Sequence, residues 1–284
     1  MKQFSITKIL IDISIFAVLF YIYYLLHRKG IPKESGFFCD DYSIRKPFKE
    51  ETFPIKFIYI FGLISTITII AVVEIVKSIV NKSKYQNYSR LFHTITISYT
   101  PNCFMNFYHY FTSFLLGLTA KNVVTKIVKL VIGRKRPFFI EVCKPNIDCN
   151  KFNPLYVSSY ECLGANKKLI RAAHMSFYSG HSAFSFFVAV YMMIYLHYRV
   201  NLKGVLKYLV HLVQFLYIVL ASTIAISRIT DNWHHPSDVV IGSLVGIIFA
   251  FMTTFKLAKI SEVDIYENNM KVLSRLPFYN VKTY

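Results

Sequence analysis

The apolar residues of this chain gather into six runs of near-membrane length, and no other feature limits its fold as strongly. A helix needs roughly 20 mostly apolar residues to cross about 30 Å of hydrocarbon. The runs cover about 7–26, 55–77, 104–133, 181–198, 205–226 and 237–257. They largely lack the polar face that a helix keeps on a soluble protein. The expected fold class is therefore all-α: a six-transmembrane-helix bundle, one domain over residues 1–284, with a short tail from about 261. The first run is too long for a signal-peptide core, and no small-x-small cleavage site follows it, so it reads as a retained anchor. The third run is the most polar and the fourth the shortest. Both belong in the bundle, because polar groups survive at membrane depth when protein or water covers them.

Charge narrows the partners. The chain carries 33 basic and 15 acidic residues, a formal net charge of +18. On a soluble domain that balance would point to nucleic acid. Here the cations sit mainly at the ends of apolar runs and in loops, which suits anionic lipid or an anionic substrate, with no nucleic-acid partner. Oligomeric state is open, a homo-oligomer included.

Six spans place both termini on one side of the membrane and three loops, 27–54, 134–180 and 227–236, on the other. Lys and Arg are nearly balanced between the two sides, so the positive-inside rule does not orient the chain. Cys39, Cys143, Cys149 and Cys162 all fall in the three-loop side. Four cysteines allow two disulfides in any of three pairings, which would require an oxidising compartment there; four free thiols are the plain alternative.

Three polar clusters interrupt the apolar pattern: Lys129 to Pro137, Tyr178-Ser179-Gly180-His181, and Ser227-Arg228 through His234-His235-Pro236-Ser237-Asp238. The topology brings all three to the same membrane face. Lys129, Arg136 and Arg228, each alone, read as snorkelling cations. Converging with Ser179 and the amides near Gly180, they make a cradle for a phosphate, which carries about −1.5 to −2 charges at neutral pH as a monoester. His234 and Asp238 are four residues apart and would share a helix face. The carboxylate would fix the imidazole tautomer and free the other nitrogen for attack. His181, from another helix, would protonate the leaving oxygen. His235 lies three residues from Asp238, and spacing leaves either histidine open as the nucleophile.

Lys129-x6-Arg136-Pro137, Ser179-Gly180-His181 and Ser227-Arg228-x5-His234-x3-Asp238 resemble the three signature motifs of the type 2 phosphatidic acid phosphatase superfamily. Gly36-Phe37-Phe38-Cys39-Asp40-Asp41, Ser176 through His181 and His234-His235-x-Ser237-Asp238 are similar to its lipid phosphate phosphatase branch. The resemblance covers roughly residues 5–260. It implies that His234 attacks phosphorus to give a phosphohistidine, that His181 is the general acid and that Asp238 orients His234. Lys129, Arg136, Ser179, Gly180 and Arg228 would bind the phosphate, with no metal and no cofactor. It also implies an active site at the luminal or extracellular face, cytosolic termini, and residence in the plasma membrane or an endomembrane. The implied substrates are phosphatidate, lysophosphatidate, sphingosine 1-phosphate and ceramide 1-phosphate.

Two positions depart from the family pattern: Phe138, where a histidine is common, and Lys126, where an acidic residue is usual. Three other readings remain. An inactive lipid-binding relative would have lost catalytic residues, and this chain keeps them. A transporter would place its polar residues nearer the midplane. A phosphatase for a non-lipid or polyprenyl phosphate shares the core motifs, and only the branch-like flanks argue against it.

Overall fold

The computed structural model describes residues 6–91, 103–147, 156–200 and 204–261. Cys149 and the tail from 262 lie outside them, as do the side chains of 81–91. The long helices are α1 (Ile6–Lys29), α2 (Ile55–Leu91), α3 (Cys103–Ile132), α6 (Gly180–Arg199), α7 (Val205–Thr230) and α8 (Pro236–Met252). Short elements lie between them: β1 (Phe37–Phe38), α4 (Phe139–Cys143), β2 (Tyr156–Val157) and α5 (Lys167–Ala173).

Four segments are long and apolar enough to cross a bilayer: Ile6–Lys29, Ile55–Val80, Lys207–Thr230 and Pro236–Leu257. Helices α3 and α6 fall short of that standard for a packing reason. Most of α6 is buried, including His181, Ser182, Ser185, Tyr191 and Tyr195, and α3 buries Tyr110, Ser113, Thr119 and Lys121. Helices enclosed by protein need no uniformly apolar surface. Helix α1 is the converse. None of its residues is buried, and it leaves Ile11, Ile15, Val18 and Phe20 exposed all round.

The core is built around α6, with Phe114, Phe184, Phe187, Tyr191, Met192 and Tyr195 at its centre. Helix α8 presses closest to α6 at Gly242 and Gly246. A Cβ at Gly242 would meet the Ser179 backbone, and one at Gly246 would meet the Ala183 carbonyl. Small residues are what allow helix backbones to approach in this way. At the far end of the bundle from the polar clusters, Glu74 is 1% exposed and takes a bidentate pair from Arg199, Nε at 2.9 Å and Nη2 at 2.8 Å. Tyr195 and Asn106 complete that carboxylate's partners.

The other end carries a cap made from the 30–54 and 134–178 segments. Phe37, Ile44, Phe138, Phe139, Val157 and Ala173 form its own apolar centre. Strands β1 and β2 pair antiparallel, Phe37 with Val157 and Phe38 with Tyr156. Cys143 and Cys162 form a disulfide, Cys39 is also disulfide-bonded, and Cys103 is free. Phe138, the departure noted in the sequence, is wholly buried. It meets Phe48 and Trp233 edge-on, each at 5.2 Å, and so ties the cap to the turn before α8.

Candidate active site

Backbone pairing sets the frame that brings the three polar clusters together. Helix α3 ends at Gly133, whose φ of +60° suits glycine and turns the chain away from the helix axis. Beyond it, the Ser176 amide donates to the Arg134 carbonyl and the Arg136 amide to the Ala173 carbonyl, both at 2.8 Å. The Ser179 amide donates to the Asp238 carbonyl at 2.9 Å. The amides of Trp233 and His234 both donate to the Arg228 carbonyl at 3.0 Å, which folds the turn back over the last residues of α7.

His234 is therefore outside any helix. His235 caps α8, Pro236 begins it and Asp238 sits in its first turn. The helical spacing expected between His234 and Asp238 does not apply, because Pro236 starts a new helix between them, leaving His234 outside it and Asp238 in its first turn. The two side chains still face one another, at a longer range than a hydrogen bond: His234 Nδ1 is 3.7 Å from Asp238 Oδ2. Ser176 stands between them. Its hydroxyl donates to Asp238 Oδ2 at 2.5 Å and lies 3.4 Å from His234 Nδ1. Asp238 Oδ2 also accepts from the His235 amide at 3.1 Å, and Oδ1 accepts from Arg134 Nη1 at 2.6 Å.

This geometry separates the two histidines. His235 Nε2 is 3.0 Å from the Lys135 carbonyl, so it must carry the proton and donate there. His234 makes no hydrogen bond through Nε2 among the described residues, while its Nδ1 faces the serine and carboxylate. Burial, together with the charges of Arg136, Lys129, His181 and Arg228, holds the His234 imidazole well below the ordinary histidine range. It is neutral at physiological pH, the state in which a ring nitrogen keeps a lone pair.

The cations lie around it. Lys129 Nζ donates to the carbonyls of Met175 at 2.9 Å and Ser176 at 3.3 Å. Arg136 has a buried Nε without a partner and a weak 3.4 Å contact from Nη2 to the Met175 carbonyl. Its guanidinium lies 4.8 Å from the centre of the Trp233 ring. Burial lowers Arg136 to about 10, which leaves it charged at neutral pH. Arg228 is fully buried, donating to Ser227 Oγ, Asp231 Oδ2 at 3.0 Å and Glu51 Oε1 at 3.2 Å. His181 Nε2 is 3.4 Å from Arg228 Nη1 and 3.6 Å from Glu51 Oε1.

Ser179 caps α6, accepting from the Ser182 amide and from Ser182 Oγ, which leaves its own hydroxyl proton to donate. A Cβ on Gly180 would come no closer than 3.8 Å to Thr125 and 3.9 Å to Lys129, so protein packing does not require the glycine. Two nearby cations, Lys135 and Lys126, point elsewhere. Lys135 Nζ bonds the Ser35 backbone and lies 4.9 Å from the Phe139 ring centre, and burial lowers it to about 8. Lys126 Nζ approaches Met175 Sδ at 3.7 Å.

Sequence reasoning missed Ser176, Arg134 and Glu51. Ser176 and Arg134 stand inside stretches already singled out, but their roles depend on tertiary contacts with Asp238. Glu51 had no signal, being one acidic residue of a loop. Among the described residues, no group of three or more His, Cys, Asp or Glu side chains is placed to hold a metal ion.

A family model described as the PAP2 superfamily matches residues 110–260. A putative phosphatidate phosphatase of Drosophila melanogaster is 36% identical over 239 residues, covering 78% of this chain and 61% of that protein. Phospholipid phosphatase 1 of Rattus norvegicus is 31% identical over 230 residues, covering 80% and 77% respectively. Phospholipid phosphatase 2 of Rattus norvegicus is 30% identical over 252 residues, covering 86% and 84%. The chain thus spans about three-fifths of the fly protein and most of each rat protein. No solved structure matches it.

Proposed function

The chain belongs to the PAP2 superfamily, alongside its phosphatidate and phospholipid phosphatases, and on that premise we propose that it hydrolyses the phosphate monoester of a membrane lipid with His234 as the nucleophile. It is a mainly helical integral membrane protein. In the proposed topology α1, α2, α3, α6, α7 and α8 each cross the bilayer. Both termini are cytosolic, and the cap faces the exterior or the lumen. The disulfides of the cap support that side, since such bonds persist in oxidising compartments.

The observation that carries the reading is the setting of His234. A neutral, buried imidazole has one nitrogen held by Ser176 and Asp238, the other uncommitted, and three cations around it. In the first step the His234 Nε2 lone pair forms a bond to phosphorus while the ester P–O bond breaks. His181, entering the step as the imidazolium, gives its Nε2 proton to the departing oxygen and becomes neutral, and the lipid alcohol leaves. Water then attacks the phosphohistidine and passes a proton to His181. Inorganic phosphate departs and His234 is neutral again. Lys129, Arg136 and Arg228 balance the charge on the non-bridging oxygens, joined by the Ser179 hydroxyl and the first amides of α6. Gly180, which packing does not require, keeps a side chain out of that seat. No metal enters the proposed reaction. Asp238 holds His234 through Ser176 as well as by its charge.

Phosphatidate, lysophosphatidate, sphingosine 1-phosphate and ceramide 1-phosphate are the proposed substrates. The protein purified in detergent with EDTA should release phosphate from phosphatidate, and His234→Ala should abolish the release. Strict dependence on added Mg²⁺ would overturn the mechanism. Intact cells carrying the protein in the plasma membrane should hydrolyse lysophosphatidate supplied outside; hydrolysis only after permeabilisation would reverse the proposed orientation.

A further inference from the structure

Glu51 places a carboxylate among the groups proposed to receive phosphate. It lies in the connection leading into α2, with a side chain 19% exposed. Its Oε1 is 3.2 Å from Arg228 Nη1 and 3.6 Å from His181 Nε2, atoms that are themselves 3.4 Å apart. The backbone around it is pinned to the turn that carries His234. Thr52 donates through its amide and its hydroxyl to the two oxygens of Asp231, each at 2.8 Å. Trp233 Nε1 donates to the Lys49 carbonyl and Asn232 Nδ2 to the Pro47 carbonyl, both at 2.9 Å. The segment is thus fixed, and a ligand that takes Arg228 must displace the Glu51 side chain, whose carboxylate also accepts from the Ile55 amide.

Resting on the phosphatase reading, we infer that Glu51 is a specificity residue. It competes for Arg228 and admits a doubly charged phosphate monoester while rejecting the singly charged phosphodiester headgroups of ordinary bilayer phospholipids. A lipid phosphatase works among a large excess of phosphodiesters that share its substrate's acyl chains. A phosphodiester brings the same single charge as the carboxylate it would replace on Arg228. It gains no charge by the exchange and must leave a carboxylate nearby. A monoester carries about −1.5 to −2 charges at neutral pH. Its extra charge can reach Lys129 and Arg136, neither of which has a carboxylate within ion-pair distance among the described residues. Discrimination between partners often rests on a repulsive group of this kind. Burial raises Glu51 from the ordinary carboxylate range against the pull of Arg228 and Arg136, so its charged form is already held at a cost.

The test uses the full chain in neutral-detergent micelles, with phosphatidate as substrate and phosphatidylglycerol, a singly charged phosphodiester, as probe. Glu51→Gln should lower KM by roughly tenfold, the size of one charged hydrogen-bonding competitor. It should also turn phosphatidylglycerol from a weak into a strong competitive inhibitor, and Glu51→Asp should restore much of the wild-type resistance. If Glu51 only neutralises Arg228 within the fold, Glu51→Gln will lower the denaturation midpoint and kcat and leave phosphatidylglycerol inhibition as in wild type. That result overturns the inference and spares the phosphatase reading. A wild-type protein that releases no phosphate overturns both.

Discussion

The Ser176 hydroxyl lies 2.5 Å from Asp238 Oδ2 and 3.4 Å from His234 Nδ1, so a serine bridges the carboxylate and the imidazole that spacing alone would have joined directly. Replacing Ser176 with Ala should leave the fold intact and cost about tenfold to a hundredfold in kcat, the value of a hydrogen bond to a charged group. KM should change less, because the phosphate-binding cations keep their places. Steady-state hydrolysis of phosphatidate in mixed micelles measures both. A Ser176→Ala enzyme with wild-type kcat would mean that Asp238 acts on His234 without the bridge.

The pH dependence follows from His234. Its imidazole must be neutral to attack, and its folded pKa lies below the ordinary value of about 6.5. The acid limb of kcat/KM should therefore fall below about pH 6.5. Stability shifts in the same direction. The unfolded chain takes up the His234 proton first, so the folded state loses stability as pH drops through about 6.5 and continues to lose it down to the folded pKa. His234→Gln lacks that contribution, and its denaturation midpoint should fall less than wild type's between about pH 7 and 5.5. An equal fall in both proteins would show that His234 is solvated.

The Cys143–Cys162 disulfide closes a 19-residue separation across the cap that carries Arg136 and Ser176. Chain-entropy arguments value such a closure at about 3 kcal/mol. The Cys143→Ser, Cys162→Ser double variant should inactivate at a lower temperature, and wild type treated with reductant, which also opens the disulfide of Cys39, should fall at least as far. Thermal inactivation curves in detergent decide this, and coincident curves for all three samples would remove the cap from any part in stability.

At the opposite end, Glu74 and Arg199 form a bidentate pair with both side chains nearly inaccessible. Glu74→Gln leaves a buried guanidinium short of its counter-charge and should cost about 3–5 kcal/mol, seen as a lower midpoint or failed expression. Glu74→Leu combined with Arg199→Met should recover part of that loss. A double variant worse than the single would indicate that the pair contributes net stability.

The helices were legible because each apolar run overlaps one long helix over most of its length, and their ends carry local signals: glycine with positive φ at Gly133, a serine cap at Ser179 and proline at Pro236. Helices α3 and α6 were the hard cases, since central helices exchange lipid-facing apolarity for side chains that serve the interior. Within the site, the motifs pointed to Lys129, Arg136, Ser179, His181, Arg228, His234 and Asp238, and the fold gathers them. Spacing could not separate His234 from His235, because what distinguishes their surroundings is a distant carbonyl, that of Lys135, which engages His235 Nε2. Ser176, Arg134 and Glu51 were invisible for the same reason. Each acts through a partner more than 60 residues away, and no local pattern records that pairing. The two-residue strands and short helices of the cap are likewise products of tertiary packing and disulfide closure.

The central proposal, that His234 becomes phosphorylated, is tested most directly by acid-free quenching of the enzyme during turnover of phosphatidate labelled in its phosphate. Wild type and His235→Ala should both carry label on residue 234, stable to alkali and lost in acid, and His234→Ala should carry none. Label that persists in His234→Ala, or that moves to residue 235 in wild type, would contradict the account.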